Sequence, residues 1–451
     1  MKYKKKQTFI CEIRIKHVIF QNKIVGYCFF LYFCSSKESD MIQELKVRNF
    51  LSFKDEVTFS FEATKDTFAE EYQVVEVVPG VRLLRFAMVY GANASGKTNL
   101  LKAFEFLRAF WRKQTSNVEE STGVIPFLFD RATPTEPSRF EMIFYIGGVK
   151  HHYLLELDEN QVYLEKLCFY KSVQPTMLFV RKFKDGNSDI TYNPSVIKLS
   201  ITEKEKISVE CLKNMSFFAS IGRVNVNLPE LYAVREWMIS HFEKMIDPTL
   251  SLTESAEAQI SKDVSLKSYL VDYFKNANFD ITNIETKVSE INSANNPFNV
   301  FSQITLKQYH TSVEHLVKNK QEDEKYKLPI SLESYGTRRI FGLATAIYNI
   351  QKKNGVLLVD EIDASLHPKF LAKLLFEYFK DKSQSQMLVT IHDDSLLDLV
   401  NDLVRKDSIW FTEKKTTGAT DLYSLVEFKG LNRLSSIRSA YRLGRFGATM
   451  Q

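Results

Sequence analysis

Gly91-Ala92-Asn93-Ala94-Ser95-Gly96-Lys97-Thr98 decides how this chain folds, because it matches the pattern G-x-x-x-x-G-K-[ST] and stands between a strand and a helix. Before it, Arg85-Phe86-Ala87-Met88-Val89-Tyr90 is an apolar run of buried-strand length. After it, Asn99-Leu100-Leu101-Lys102-Ala103-Phe104 opens an amphipathic helix. Strand, glycine turn and helix in that order predict an α/β fold with a phosphate loop. Gly91 and Gly96 allow backbone angles that aim successive N–H groups at one anion, and the helix N-terminus adds partial positive charge. Lys97 then reaches the β- and γ-phosphates of a nucleoside triphosphate, and the Thr98 hydroxyl ligates the accompanying Mg2+. Asn93, Ser95 and Asn99 are assigned to the same cradle.

A second apolar run, Gly355-Val356-Leu357-Leu358-Val359-Asp360-Glu361, ends in two carboxylates and resembles a Walker B strand lying beside the phosphate loop in a parallel sheet. In that role Asp360 holds the magnesium through its water shell, and Glu361 takes a proton from the attacking water. Ser334-Tyr335-Gly336-Thr337-Arg338-Arg339 precedes a helical stretch, Ile340 to Gln351, and has the place and pattern of an ABC-type signature. In such signatures the serine and glycine, here Ser334 and Gly336, grip the γ-phosphate bound by an opposite subunit. Taken without its neighbours, the same segment reads as a capped helix start. Met387-Leu388-Val389-Thr390-Ile391-His392 predicts another core strand, ending in a histidine placed to sense γ-phosphate. Glu361 and His392 are therefore the catalytic candidates, and a real signature makes dimerisation part of the active site.

The opening of the chain fits the same order of motifs. Leu45 to Phe53 followed by Val57 to Phe61 looks like the first β-hairpin of ABC-type ATPase heads of the RecF and SMC kind. With GANASGKTN, SYGTRR, VDEIDASLHP, TIHD and the closing YRLGRFGA, the chain from about Met41 onward resembles the stand-alone AAA/ABC-type ATPases of the abortive-infection, or phage-defence, family, relatives of the overcoming-lysogenization-defect ATPases. The resemblance implies an ABC-type P-loop head that binds ATP and Mg2+ and hydrolyses ATP to ADP and phosphate. It further implies a homodimer or larger homo-oligomer controlling a separate effector such as a nuclease. The alternative is a RecF-like DNA-maintenance ATPase, which leaves nucleic acid open as a partner. One departure from the pattern is the lack of a Q-loop glutamine after the first helix, where Ile125-Pro126-Phe127-Leu128-Phe129 stands instead.

Composition agrees with one elaborate head: 451 residues at 44% hydrophobic content bury a large core. The net charge of +5 misleads, since eight of the 60 basic and three of the 55 acidic residues lie in residues 1–40, leaving 52 of each in the body. Charge alone therefore makes no case for nucleic acid. Residues 1–40 read as a leader added by a start-site choice. A signal-like segment and a membrane-surface anchor are the other readings, and the apolar run Ile24 to Cys34 is too short to predict stable membrane insertion. Residues 41–200 carry the phosphate loop and a β-rich lobe, 201–330 a mainly helical insertion, and 331–451 the signature, Walker B strand and switch histidine. The insertion lacks sustained heptads, and the segment after His392 is too small for a second catalytic domain. Cys11, Cys28, Cys34, Cys168 and Cys211, odd in number and without metal-type spacing, read as reduced thiols in a cytoplasm.

Overall fold

A computed structural model of the chain describes residues 39–184, 186–277, 279–292, 305–318 and 322–448. The leader, with Cys11, Cys28 and Cys34, lies outside the described residues except for Ser39 and Asp40.

Strands β1 (Met41–Arg48) and β2 (Val57–Ser60) form the expected hairpin, with Leu45 opposite Phe59 and Val47 opposite Val57. A two-stranded ribbon follows, β3 (Val74–Val78) and β4 (Val81–Leu84). Then come the wholly buried β5 (Phe86–Tyr90) and the helix Lys97–Phe110. Five antiparallel strands come next: β6 (Ser138–Ile146), β7 (Val149–Leu157), β8 (Val162–Tyr170), β9 (Pro175–Lys184) and β10 (Asn187–Tyr192). They join the first hairpin in a seven-stranded sheet of order β10-β9-β8-β7-β6-β1-β2. Along β7 burial alternates, so Tyr153, Leu155 and Leu157 face inward, as a half-buried strand requires. Across that face Phe104 meets Phe59 edge to face at 6.0 Å, and Phe106 stacks on Phe140 at 4.9 Å.

The segment 201–330 is where the structure departs from the mainly helical reading. It carries the helices Ile201–Glu210, Phe217–Ile221, Pro229–Ser240, Thr253–Ile260 and Val264–Asn276. It then turns into an antiparallel arm of β11 (Ile281–Asn292), β12 (Thr305–Lys318) and β13 (Asp323–Pro329). The reason is the β-branched run: Ile284 pairs with Val313, and the Thr286 and Thr311 hydroxyls bond across the ladder at 2.8 Å. Charged residues between these positions disguised a period of two. At the base of the arm, His315 Nε2 and Glu333 Oε1 are 2.7 Å apart.

Ser334 then caps the long helix Tyr335–Lys353, accepting from the Thr337 N–H at 3.1 Å. The rest of the core sheet follows: β14 (Val356–Val359), the helix Pro368–Lys380, β15 (Gln386–Thr390), β16 (Ile409–Lys414) and β17 (Thr420–Ser424). The sheet order is β14-β15-β5-β16-β17, parallel except at β17. Its strands divide two cores by side-chain alternation. Ala87 and Val89 join the core of the helix Lys97–Phe110, while Phe86, Met88 and Tyr90 join that of Ile340, Phe341 and Leu343. Gln386, buried at the start of β15, fuses the two sheets. Its amide accepts from Ile42 N–H at 2.7 Å and donates to the carbonyls of Ile42 and Leu84 at 2.9 and 3.1 Å. The architecture is α/β, with a layered P-loop sheet and a β-rich lobe.

Candidate nucleotide-binding site

The phosphate loop leaves the C-terminal end of β5 and is held from three sides. A Cβ at Gly91 would lie 2.5 Å from both Ser95 Oγ and Thr412, so only glycine admits β16 this close. Gly96 has φ 108 and packs against Thr420 and Ser52, which again leaves no room for a side chain. Ser95 and Thr412 hydroxyls are 2.6 Å apart, and Thr420 Oγ1 donates to the Ser95 carbonyl at 2.8 Å. Ser52 Oγ accepts from Asn99 Nδ2, also at 2.8 Å. The N–H groups of Asn93, Ala94, Gly96, Lys97 and Thr98 meet no protein acceptor among the described residues. Such a run at a helix N-terminus suits an anion.

Lys97 is 5% exposed, and its ammonium donates to the carbonyls of Gly91 at 2.7 Å and Ala92 at 3.2 Å. Burial lowers its pKa below the ordinary lysine value, while the carboxylates of Asp360, Glu361 and Asp363 oppose that shift. Beside it Thr98 Oγ1 lies 3.0 Å from each Asp360 oxygen. Asp360 also accepts from the Thr390 hydroxyl at 2.6 Å, and that hydroxyl accepts the Glu361 N–H at 2.8 Å. Glu361 sits at φ 47, an uncommon conformation for a non-glycine residue, and its Oε1 is 2.8 Å from His392 Nε2. Asp363 sets the segment carrying the histidine, accepting from the N–H groups of His392 at 3.0 Å and Asp393 at 2.6 Å.

Lys97, Thr98, Asp360, Glu361 and His392 thus meet at the carboxyl ends of β5, β14 and β15, the usual place for a ligand crevice in a parallel sheet. A cleft of about 860 Å³ opens there, lined by Asn93, Ser95, Gly96, Lys97, Thr98, Asn99, Glu361 and His392. Ser334 and Gly336 are not among its lining residues. Gly336 instead abuts the loop after β14, where a Cβ would come within 3.1 Å of the Ser365 carbonyl. The Thr98 hydroxyl and Asp360 carboxylate are hard oxygen donors that suit Mg2+. Among the described residues no group of three or more His, Cys, Asp or Glu side chains is placed to hold a metal. A cation here therefore needs further oxygens, such as those of a phosphate chain.

Sequence reasoning missed Ser52, Thr390, Thr412 and Thr420. Each is a short hydroxyl residue inside or beside an apolar strand, and its partners lie far away in sequence.

One family, described as "AAA domain, putative AbiEii toxin, Type IV TA system", matches residues 86–195 and 219–398, more than half of the chain. The chain belongs to this family. The matched stretches of this AAA-domain protein begin on β5 and take in the phosphate loop, Ser334, Asp360 and His392. No curated protein matches it. Among solved structures, the SMC head domain from Thermotoga maritima is similar at 13% identity and a TM-score of 0.42, over 85% of this chain and 98% of that one. The SmcHead bound to the C-winged helix domain of ScpA gives 13% identity and a TM-score of 0.38, over 89% and 99%. An Smc head domain with an extended coiled coil, bound to the C-terminal domain of ScpA derived from Pyrococcus furiosus, gives 14% and 0.39, over 90% and 99%. No helix among the described residues is long and apolar enough to cross a membrane.

Proposed function

We propose that this AAA-domain protein binds ATP with Mg2+, hydrolyses it to ADP and phosphate, and uses that cycle as a cytoplasmic switch over a separate effector in anti-phage abortive infection. The observation that carries the reading is the Glu361–His392 contact beside the Lys97–Thr98–Asp360 cluster. Backbone N–H groups of Asn93, Ala94, Gly96, Lys97 and Thr98 and the Lys97 ammonium hold the phosphates. Thr98 and Asp360 hold the magnesium ion, which when bound neutralises phosphate charge. Glu361 orients the attacking water and accepts its proton. His392, within hydrogen-bond reach of that carboxylate, reports whether a γ-phosphate is present.

Ser334 and Gly336 lie outside the cleft of their own chain, so their contact with a γ-phosphate calls for a second copy. ATP then closes a homodimer or larger homo-oligomer, and hydrolysis opens it. The family description supports the defence role; the effector in this reading is a separate polypeptide such as a nuclease.

The test is Glu361→Gln with Mg2+ and ATP, read by turnover and by light scattering. Loss of a general base costs about 10²- to 10⁴-fold in rate, so this variant accumulates an ATP-bound assembly of at least twice the monomer mass. Turnover at the wild-type rate would assign the base elsewhere.

A further inference from the structure

The cleft does not end at the phosphates. Its far end is apolar, built from Leu51 of the β1–β2 connection and from Ile125, Pro126, Leu128 and Phe129. Three of these side chains face solvent to an extent unusual for their type: Phe129 is 71% exposed, Leu128 61% and Ile125 49%. The segment that carries them is nevertheless tied down. Leu51 N–H donates to the Ile125 carbonyl at 2.9 Å, and Phe127 N–H donates to Asn49 Oδ1 at 3.0 Å. The Thr133 hydroxyl donates to the Phe127 carbonyl at 2.8 Å, and Lys54 pairs with Asp130 at 2.6 Å. The Phe129 ring has neighbours but stays largely exposed. Phe127 meets it edge to face at 5.8 Å, and Gly418 of the β16–β17 turn lies so close that a Cβ would stand 2.9 Å from the ring.

We propose that this end of the cleft is a nucleobase platform, on which the heterocycle of a nucleoside triphosphate stacks against Phe129 while its phosphates lie in the loop. The proposal rests on the nucleotide reading above and adds the part that recognises the base. Continuity with the phosphate loop within one cleft identifies the occupant, because an anionic chain ending in a flat apolar ring matches both ends. Ser52, next to Leu51, and Lys414, beside Phe129, line the same cleft. Ser52 Oγ is already engaged by Asn99 Nδ2 and Thr420 Oγ1, each at 2.8 Å. Lys414, its Nζ 5.8 Å from the Phe129 centroid, only donates. Stacking accepts any base with a π-face, so the platform takes ATP and GTP alike.

Calorimetric titration of the full chain with ATP, GTP and tripolyphosphate in Mg2+ tests this, using wild type, Phe129→Ala and Phe129→Trp. The expected result is wild-type affinities for ATP and GTP within about tenfold of each other, and a loss of about tenfold or more for both in Phe129→Ala. Tripolyphosphate binding changes less than about twofold, and Phe129→Trp retains nucleotide affinity. Unchanged ATP affinity in Phe129→Ala, or equal loss of tripolyphosphate, would overturn the platform while leaving the phosphate site intact. A preference between ATP and GTP beyond about a hundredfold would overturn recognition by stacking alone. Wild-type protein that binds none of the three ligands would overturn the platform and the nucleotide reading together.

Discussion

Replacing Thr390 by valine keeps the volume of a fully buried side chain and deletes one hydroxyl. That hydroxyl donates to Asp360 at 2.6 Å and accepts from Glu361 N–H at 2.8 Å, so one atom holds the ends of β14 and β15 together. A hydrogen bond to a charged group contributes about 1.5–3 kcal/mol, and stranding a partly buried N–H costs about 1–3 kcal/mol more. Asp360 keeps its contact with Thr98, and neighbouring terms do not add fully, so a loss of about 3 kcal/mol is expected. The lost bond also anchors Glu361 at its positive φ, a conformation that costs about 1 kcal/mol and persists only where the surroundings enforce it. Thr390→Val should therefore also slow ATP turnover by about tenfold or more, because the proposed general base loses its fixed position. Urea unfolding and steady-state hydrolysis, with Thr390→Ser as the control that keeps the hydroxyl, measure both effects. A valine variant within about 0.5 kcal/mol of wild type, or a serine variant just as damaged, would refute the reasoning.

Lys97→Ala is expected to weaken ATP binding at least about tenfold, since it removes a charge-assisted contact; unchanged affinity by equilibrium dialysis would move the phosphates elsewhere. Ser334→Arg should leave the affinity of a single chain for ATP within about threefold yet abolish the ATP-dependent rise in mass, and mixing it with Lys97→Ala should restore part of the turnover. Absence of any rescue would argue against a site shared between chains. Acid should destabilise the fold through buried histidines. Burial depresses His241 to about 3 and His151 to about 4, so the unfolded chain binds protons that the folded chain refuses. Stability present above the ordinary histidine pKa near 6.5 is thus lost as pH falls toward 4 and then 3, by up to about 1.4 kcal/mol per pH unit for each group. His241→Phe, packed between Trp237 and Phe242, should flatten that slope in urea midpoints; an unchanged slope would assign the acid response to other groups.

The sheet was legible wherever a short apolar run ended in a chemical residue. Phe86–Tyr90, Val356–Val359 and Gln386–Thr390 are buried at every position, so their sequences show neither helical nor alternating polarity. Their ends bring Lys97, Asp360, Glu361 and His392 together, residues named from motif order alone. What escaped is non-local. Thr412 and Thr420 contact Ser95 across 317 and 325 residues, and Thr420 meets Ser52 across 368. No window of sequence holds such pairs. The arm from Ile281 to Pro329 escaped for a different reason, because charged residues between its β-branched positions gave the composition of a solvated helix. The platform around Phe129 stood in view as the place without a glutamine, and only its exposure and its seat on Gly418 give it a use.

The arm and the helix that Ser334 caps are joined by a very short connection. β13 ends at Pro329, a single 3-10 turn covers Ile330–Leu332, and Ser334 already caps the next helix. His315 fastens β12 to Glu333 across this joint. The outer strands and Ser334, the residue proposed above to meet a partner's γ-phosphate, are thus linked by one short turn and one side-chain contact, so a load on the arm has no slack chain to absorb it before Ser334.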